Sequence, residues 1–449
     1  MRILVPLFLL VLSMSDLVAE PPKEPEPLSV RADRPGAVYA RGETVSFVIQ
    51  WQGDGEAVPN PARKVQWVIS KDGMPPSREG EAALEGGRAV ITGTLDEPGF
   101  LQCKVTFVEN GATHTALAGA AIAPTEIAPS LPCPDDFDAF WADQKKQLAA
   151  VPMNARLTPL PPDDGAPAVE VFDVQADCVG APVSGYYARP AGAAPGSCPA
   201  RLYVDGAGVR DSHLDEAAPW ARRGLISLAI NAHGIPNGKP AEFYDEFNKG
   251  ALKFYRIEGR ESRDTWYFRG MFLRVLRALD FLAAQPEWDG RTLIIEGGSQ
   301  GGAQAMVGAA LDPRVTFYTA YVTAMCDHTG MLANRVAGWP KIIPVTDGVP
   351  DPAVLQASRY FDMVNFAPRI KAAGFFAVGF IDKVAPPTSV YAAYNQVSAP
   401  KEMVNVVDRG HGMDGNVLKP AILDAQLRHI AAQTAQKVDA EHGSPKGAK

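Results

Sequence analysis

Between residues 28 and 123, apolar and polar positions alternate in short runs with a period of two, and no run has a helical period. Turn-forming clusters such as Gly53-Asp54-Gly55 and Asn110-Gly111 separate these runs. The pattern predicts half-buried strands, and short strands at this spacing are typical of two packed sheets. The predicted strands are Leu28–Ala32, Thr44–Trp51, Val65–Ser70, Arg88–Thr94, Phe100–Val108 and His114–Ala120. We therefore predict a small β-sandwich domain of immunoglobulin-like type at residues 28–123.

This predicted sandwich contains no motif of a catalytic site. Trp51 and Trp67 are candidates for stacking on sugar rings, but a tryptophan in a strand is more often part of a core. We expect an accessory domain, followed by a proline-rich linker at residues 124–134.

After the linker, strand-like apolar runs alternate with segments of helical period. Predicted strands are Val169–Ala176, Val183–Arg189, Arg201–Val204, Leu225–Asn231, Leu293–Glu296, Thr316–Val322, Phe375–Phe380 and Glu402–Val407. Predicted helices are Ala139–Ala150, Leu214–Arg223, Arg263–Ala284, Ala303–Leu311, Thr388–Val397 and Val417–Gln433. Early antiparallel strands followed by strand–helix alternation indicate a doubly wound α/β sheet, here at residues 135–435.

The two ends of the chain differ from these domains. Residues 1–19 join Arg2 to an apolar run from Ile3 to Leu12, which is the pattern of a secretory signal peptide and is too short for a membrane helix. Residues 436–449 are mostly charged or small and contain a proline, so we expect a disordered tail. We expect export to the periplasm or the medium, and no membrane span.

Composition narrows the possible partners. The formal net charge of −8 argues against nucleic acid or an anionic membrane surface. The five cysteines are odd in number and widely spaced, without a Cys-x-x-Cys pair, so we expect neither a disulfide framework nor a metal site. Cys178 and Cys198 are the candidates for a single bridge. An oligomer is compatible with the sequence, but nothing in the sequence supports one.

The main chemical signal is the segment from Thr292 to Gly302, in which an apolar run ends in Gly-x-Ser-x-Gly and a small-residue segment follows. This order of strand, sharp turn and helix predicts a nucleophile elbow with Ser299 as the nucleophile. The turn would aim the backbone N–H of Gln300 at a developing oxyanion. A glycine-rich turn without chemistry is the alternative, and the flanking strand and helix argue against it.

A serine nucleophile needs a base, and the base needs an orienting acid. In this arrangement the chain order is serine, acid, histidine, which restricts the base to His411, His429 or His442. His411 lies in a glycine-flanked loop directly after a predicted strand, where the base belongs. The other two lie on the last helix and in the tail, where we expect solvated side chains.

Asp382 is the preferred acid because it follows the apolar run Phe375–Ile381, and ligand-facing residues lie at the carboxyl ends of strands in an α/β sheet. Asp347, Asp351 and Asp362 lie in a region without that strand pattern. A second oxyanion donor is expected from the loop Asp205-Gly206-Ala207-Gly208, with the N–H of Ala207 as the candidate. The Asp205 carboxylate would repel an oxyanion, so it must point away or be paired.

Several separated motifs carry a resemblance to a known family. They are Gly297-Gly298-Ser299-Gln300-Gly301-Gly302, Gly379-Phe380-Ile381-Asp382 with Pro386-Pro387 and Tyr391-Ala392-Ala393-Tyr394-Asn395, His411, and the opening segment Cys133–Trp141. Over about residues 130–435 the chain resembles the acetyl xylan esterase/cephalosporin C deacetylase family of α/β-hydrolases. The resemblance implies the catalytic triad Ser299, Asp382 and His411, with oxyanion donors at Gln300 and Ala207.

Two positions depart from the family pattern. The family usually has Arg-Gly-Gln after the fourth strand, where this chain has Ala232-His233-Gly234-Ile235-Pro236, and it usually has Glu after the catalytic histidine, where this chain has Gly412. These differences and the added sandwich indicate a divergent branch that deacetylates polysaccharides.

The resemblance implies an esterase that removes acetyl groups from acetylated xylan or related oligosaccharides, through an acetyl-enzyme and without a metal or organic cofactor. A prolyl-oligopeptidase-type peptidase shares the elbow motif. Its accessory domain is a propeller, however, and about 100 residues cannot build one from blades of about 40–45 residues. A glycan-binding protein on an inactive hydrolase scaffold is the other alternative, and the complete set of three candidate residues argues against it.

Overall fold

The computed structural model describes residues 26–52, 63–161, 169–413 and 415–442, with side chains described as far as residue 435. The signal peptide predicted at residues 1–19 lies outside this part of the chain. The first eight strands are β1 (Leu28–Ala32), β2 (Val38–Tyr39), β3 (Val45–Trp51), β4 (Lys64–Lys71), β5 (Arg78–Ala83), β6 (Arg88–Gly93), β7 (Gly99–Glu109) and β8 (Ala112–Ile122). They form a three-stranded sheet in the order β1-β3-β6 and a five-stranded sheet in the order β2-β8-β7-β4-β5.

Alternation of buried and exposed residues builds this sandwich. In β6 every second residue is buried, as the sequence pattern predicts for a strand with one face on a core. Trp51 packs edge-on against the rings of Phe107 and His114, and the Arg78 guanidinium lies over Trp67. Both tryptophans are half-buried against the core, so their contacts support the structural interpretation rather than sugar stacking.

Among the described residues, the second part of the chain supplies the remaining strands and all the α-helices. Its strands are β9 (Arg156–Pro159), β10 (Val169–Ala176), β11 (Val183–Pro190), β12 (Cys198–Val204), β13 (Ile226–Ile230), β14 (Trp288–Gly298), β15 (Phe317–Tyr321), β16 (Val345–Thr346), β17 (Val349–Pro350), β18 (Ala373–Gly379) and β19 (Lys401–Val406). Its helices are α1 (Phe137–Ala149), α2 (Ala218–Ala221), α3 (Ala241–Lys249), α4 (Tyr267–Ala283), α5 (Gln300–Leu311), α6 (Pro352–Ser358), α7 (Met363–Phe366), α8 (Pro387–Tyr394) and α9 (Gly415–His442).

Nine of these strands form one sheet in the order β19-β18-β15-β14-β12-β13-β11-β10-β9. The pairs β9–β10, β10–β11 and β11–β13 are antiparallel. The other five pairs of the sheet, from β13–β12 to β18–β19, are parallel. Helices cover both faces. Ile294 packs with Leu418 and Ile422 of α9, whereas its neighbour Ile295 belongs to the core that includes α4 and α5. The predicted doubly wound α/β sheet with early antiparallel strands is therefore confirmed.

Some predicted elements differ in extent. The predicted helix Leu214–Arg223 is a short 3-10 turn followed by α2, which begins at Ala218 with Pro219 in its first turn. A proline is tolerated in a first turn but not inside a helix, so it separates the two pieces. Of the disordered tail predicted at residues 436–449, residues 436–442 continue helix α9, and residues 443–449 lie outside the described part of the chain.

The candidate bridge between Cys178 and Cys198 is not formed, and both residues are buried free thiols. Cys178 follows β10, whereas Cys198 begins β12, and strands β11 and β13 lie between them in the sheet. Three strand spacings of about 4.8 Å exceed the 7 Å limit between the Cα atoms of a disulfide.

Among the described residues, no helix combines the length and the apolar character that crossing a bilayer requires.

The sandwich and the α/β domain share one continuous hydrophobic core. The linker between them is also held by side chains of the larger domain. The Asn395 amide donates to the carbonyl oxygens of Pro124 (2.9 Å) and Ile127 (2.8 Å), and the Asp327 carboxylate accepts from the backbone N–H of Ser130 (2.8 Å). The two parts of the chain are thus packed together and not strung on a free tether.

Candidate active site

The turn between β14 and α5 places Ser299 in a strained conformation. Its backbone has φ 57° and ψ −121°, a region that a residue with a Cβ rarely adopts. Two contacts fix the turn: the Ser299 N–H donates to the Tyr321 carbonyl oxygen (2.9 Å), and the Ala324 N–H donates to the Ser299 carbonyl oxygen (3.0 Å). A Cβ on Gly301 would lie 2.3 Å from the Val204 carbonyl oxygen, so glycine is required there by close approach. The strand, turn and helix of the predicted nucleophile elbow are all present.

The structure brings Ser299, His411 and Asp382 into one hydrogen-bonded chain. His411 Nε2 lies 2.9 Å from Ser299 Oγ, and His411 Nδ1 lies 2.8 Å from Asp382 Oδ2. Because an ionised carboxylate only accepts, Nδ1 carries the proton and Nε2 is left to accept from the serine hydroxyl. This is the arrangement in which a histidine can remove the proton from a serine nucleophile.

The acid and the histidine of this hydrogen-bonded set follow two different strands of the sheet. Asp382 follows β18 and is fully buried, and its Oδ1 accepts from the backbone N–H groups of Val384 (2.8 Å) and Ala385 (3.0 Å). His411 lies in the loop after β19, and 28% of its side chain is exposed. The carboxylate is therefore rigidly fixed and dry, while the imidazole can be reached by a ligand.

The other candidate acids have different partners. Asp362 accepts from the backbone N–H groups of Asp327 (2.7 Å) and His328 (2.6 Å), and burial, followed by the nearby Asp327 carboxylate, raises the pKa of Asp362 to about 8. Asp351 caps the first turn of α6, and Asp347 occupies a tight turn with φ 51°. The carboxylates of Asp362 and Asp351 thus hold local backbone, and the carboxylate that accepts from His411 Nδ1 is that of Asp382.

His429, which we expected to be solvated, is partly buried. Its Nε2 lies 2.9 Å from Thr316 Oγ1, and its ring stacks on Phe317 with centroids 5.0 Å apart. Burial lowers its pKa. His429 thus belongs to the packing of α9 against the sheet, and the side chain of His442 lies outside the described residues.

The loop after β12 lies beside the elbow. A Cβ on Gly206 would be 3.5 Å from the Gly298 carbonyl oxygen and 4.0 Å from the Ser299 Cβ. The Asp205 carboxylate is paired, since it accepts from Arg210 Nε (2.6 Å) and Nη2 (3.0 Å). Burial alone would raise the pKa of Asp205, but hydrogen bonds from His213 and Arg210 outweigh burial and lower it. The charge that would oppose an oxyanion in this loop is therefore balanced.

Sequence analysis missed a second set of side chains behind this loop. His233 Nε2 lies 3.1 Å from the Gly208 carbonyl oxygen, and its Nδ1 lies 2.8 Å from the Tyr267 hydroxyl. The carbonyl only accepts, so Nε2 carries the proton and Nδ1 accepts from tyrosine. Burial, with the nearby Arg274, lowers the pKa of His233 to about 4, which keeps the ring neutral. The Tyr255 hydroxyl donates to the Gln300 side-chain oxygen (2.8 Å).

His233 contacts Gly208 and Tyr255 contacts Gln300, and the rings of His233 and Tyr255 pack edge-on with centroids 4.7 Å apart. These side chains therefore connect the two segments expected to supply oxyanion donors. The only signal in the sequence was the departure at Ala232-His233-Gly234, where the family usually has Arg-Gly-Gln.

A cavity of about 370 Å³ adjoins His411 on the face covered by α2 and α9. Trp220, Leu418 and Ile422 contribute apolar walls, and the buried ion pair of Arg201 with Glu296 (2.8 Å) lies in its lining. The imidazole of His411 is therefore open to a space large enough for a small ligand.

Comparison with known proteins identifies the relatives of this chain. The model of the family described as acetyl xylan esterase (AXE1) matches residues 125–424. The acetyl esterase Axe7A of Xylanibacter ruminicola is 32% identical over 355 residues, which are 76% of this chain and 77% of that protein.

Two solved structures agree in fold. The acetyl xylan esterase from Paenibacillus sp. R4 is 27% identical, with a TM-score of 0.58, and the match covers 69% of this chain and 98% of that one. Acetyl xylan esterase 1 from Thermoanaerobacterium sp. JW/SL YS485 is 23% identical, with a TM-score of 0.59, and the match covers 68% of this chain and 97% of that one. This similarity supports the α/β-hydrolase fold. The family match and the curated relative together show that this chain belongs to the acetyl xylan esterase family, a family of α/β-hydrolase carboxylic ester hydrolases.

Proposed function

We propose that this protein is a serine esterase that removes acetyl groups from acetylated xylan or related oligosaccharides, with Ser299, His411 and Asp382 as its catalytic triad. The observation that carries the proposal is the continuous hydrogen-bonded chain from Ser299 Oγ through His411 to the buried Asp382. The substrate class follows from the family and from two relatives, the acetyl esterase Axe7A and the acetyl xylan esterase from Paenibacillus sp. R4. The signal peptide predicted at residues 1–19, with its apolar run from Ile3 to Leu12, supports export to where such glycans occur.

The proposed mechanism has two halves. His411 Nε2 takes the proton of Ser299 as its oxygen attacks the acetyl carbonyl, and Asp382 stabilises the imidazolium that forms. The oxyanion is held by the backbone N–H groups of Gln300 and Ala207. The tetrahedral intermediate then collapses: its bond to the sugar oxygen breaks, His411 gives its proton to that oxygen, and the sugar leaves as an alcohol from the acetyl-enzyme. A water activated by His411 releases acetate and restores Ser299, so no step uses a metal or organic cofactor.

Release of acetate from acetylated xylan by the purified protein tests this function. We expect release by wild type and none by Ser299→Ala, since loss of a triad member typically lowers kcat by about 10⁴- to 10⁶-fold. Cleavage of a dipeptide amide in place of acetylated xylan would favour the peptidase alternative. Binding of xylan without acetate release would favour the inactive glycan-binding alternative.

The acyl side gives a second test of the same proposal. A pocket that fits acetyl must be overpacked by each added methylene, which typically costs about 1–3 kcal/mol, or about ten- to a hundredfold in rate. We expect p-nitrophenyl acetate to be cleaved far faster than the butyrate ester. A rate that rises toward butyrate or octanoate would indicate a general carboxylesterase instead.

A further inference from the structure

The N-terminal sandwich contacts the segment that carries Asp382 on the N-terminal side of that residue. Phe380 lies two residues before Asp382 and is fully buried. Gln102 Nε2 of β7 donates to the Phe380 carbonyl oxygen (3.3 Å), and the ring of Phe100 packs edge-on against the Phe380 ring with centroids 4.9 Å apart. Both the backbone and the side chain of Phe380 thus contact the sandwich.

The backbone of β8 approaches this segment even more closely. A Cβ added to Gly119 would lie 2.6 Å from the Phe380 carbonyl oxygen and 2.7 Å from the Phe380 Cβ. An ordinary contact would be at least about 3.4 Å, so any larger residue at position 119 must move Phe380 or β8.

The sandwich also contacts the chain on the C-terminal side of Asp382. Asp382 is followed by α8, whose Thr388 is fully buried and donates its hydroxyl proton to the Asp72 carboxylate, with oxygens at 2.7 and 2.6 Å. Tyr391, one turn further along α8, lies 5.6 Å from the ring of Phe100. Residues of the sandwich therefore contact the chain both before and after Asp382.

We propose that the N-terminal sandwich is a positioning element of the active site, which fixes Asp382 through Phe380 and Thr388, and not an independent accessory module. The inference rests on the proposed role of Asp382 as the triad acid. The Ile381 N–H also donates to the Arg409 carbonyl oxygen (3.2 Å), so a shift at Phe380 reaches the loop of His411. Because a displacement of about 1 Å in a catalytic group can lower the rate about a hundredfold, this support governs kcat on every substrate, including small soluble esters.

Gly119→Ala in the full-length protein tests the proposal, with Gly93→Ala as its matched control. A Cβ on Gly93, in β6 of the same sandwich, would have its nearest neighbour at 3.5 Å, an ordinary contact. We expect Gly119→Ala to lower kcat on p-nitrophenyl acetate by about 10- to 100-fold with KM within twofold, and Gly93→Ala to behave as wild type. Circular dichroism spectra and melting temperatures are measured to test whether both variants are folded. Wild-type kcat in a folded Gly119→Ala protein would overturn the inference.

A second pair of variants answers the case in which Gly119→Ala does not fold. Thr388→Val removes the hydroxyl that reaches Asp72 at nearly constant volume, and Thr388→Ser restores it. We expect a fall in kcat for the valine variant and recovery with serine. Equal kcat for Thr388→Val, Thr388→Ser and wild type would contradict the inference.

The background of Asp382→Asn separates this inference from the proposed triad. If the sandwich acts through Asp382, then Gly119→Ala, or Thr388→Val in its place, should have little further effect once the carboxylate is gone. A full, multiplicative loss in that background would show that the sandwich acts elsewhere. If Asp382→Asn itself kept wild-type activity, the triad assignment would fail, and that failure is visible without any sandwich variant.

Discussion

Asp382 and Asp362 are both buried aspartates, but their partners give them different roles. Asp382 contacts the His411 imidazole, whereas Asp362 caps backbone N–H groups and has a pKa raised to about 8 by burial. We expect Asp382→Asn to lower kcat by about 10⁴-fold, because the amide favours the wrong imidazole tautomer. Asp362→Asn keeps one acceptor oxygen, so its folded fraction should retain kcat within a few fold. Steady-state kinetics on p-nitrophenyl acetate, corrected for the fraction of folded protein, measure both values of kcat. A lower kcat for Asp362→Asn than for Asp382→Asn would mean that Asp382 is not the acid.

His233 is the residue-scale feature that sequence analysis overlooked. Its Nε2–H holds the Gly208 carbonyl oxygen at 3.1 Å, next to the expected oxyanion donor at Ala207. We expect His233→Ala to lower kcat about tenfold or more with little change in KM, since removing an oxyanion donor outright costs about 10²- to 10³-fold. His429→Ala is the matched control, because that partly buried histidine contacts Thr316. Equal effects of the two alanine variants on kcat would mean that His233 has only a packing role.

The three triad candidates could be found in the sequence because their signals are local. A strand, a glycine turn and a helix mark Ser299, and a carboxylate and a histidine follow apolar runs in the expected order. The hydrogen bonds from His233 to Gly208 and from Tyr255 to Gln300 join residues that are far apart in the chain. No local pattern encodes such a contact, so it could not be predicted without the fold.

At the scale of elements, long periodic segments were predicted well and short ones were not. The strand Val169–Ala176 was predicted with the bounds that β10 has in the structure. In contrast, α3, α6 and α7 were missed, because they are short and the charged stretch of α3 buries only Tyr244. Tertiary contacts stabilise such helices more than their own sequences do. Strand order in the sheet also excludes the candidate bridge between Cys178 and Cys198, because two strands lie between them.

The packing of the elbow against β12 gives a prediction at this scale. A Cβ on Gly301 would lie 2.3 Å from the Val204 carbonyl oxygen, so Gly301→Ala must separate α5 from β12 and should cost about 1–3 kcal/mol of unfolding free energy along with activity. Gly270→Ala in α4 is the matched control. Its nearest neighbour would be at 3.6 Å, and alanine in a helix is favoured over glycine by about 0.5–1 kcal/mol. Urea unfolding should therefore move in opposite directions for the two variants, and equal shifts would contradict this view of the elbow.

For the whole molecule, sequence patterns indicated an all-β part followed by an α/β part, but not how the two parts contact each other. Apolar alternation identifies which residues of a strand are buried, yet it does not say which other domain covers them. Gly119 and Gln102 therefore looked like ordinary strand residues until their contacts with Phe380 were seen. The expectation of an accessory module followed from the absence of a catalytic motif in residues 28–123.

The buried carboxyl of Asp72 makes the stability of this two-domain arrangement depend on pH. Desolvation by burial raises its pKa to about 7, against which the hydrogen bond from Thr388 is the largest opposing effect. In the unfolded chain an aspartate has a pKa of about 3.9, so between about pH 4 and pH 7 the folded state binds more protons than the unfolded state. This group's contribution to stability is therefore full below about pH 4, falls as pH rises toward 7, and is constant above that.

Asp72→Asn removes this titration and keeps an oxygen for Thr388, so its unfolding free energy relative to wild type should rise between pH 4 and pH 8. Urea unfolding at a series of pH values measures the difference. Asp96→Asn, at an exposed position of the same sandwich, should show no such trend. A difference between Asp72→Asn and wild type that stays constant across this range would mean that Asp72 remains ionised in the folded protein, held by charges such as Lys71 and Arg335.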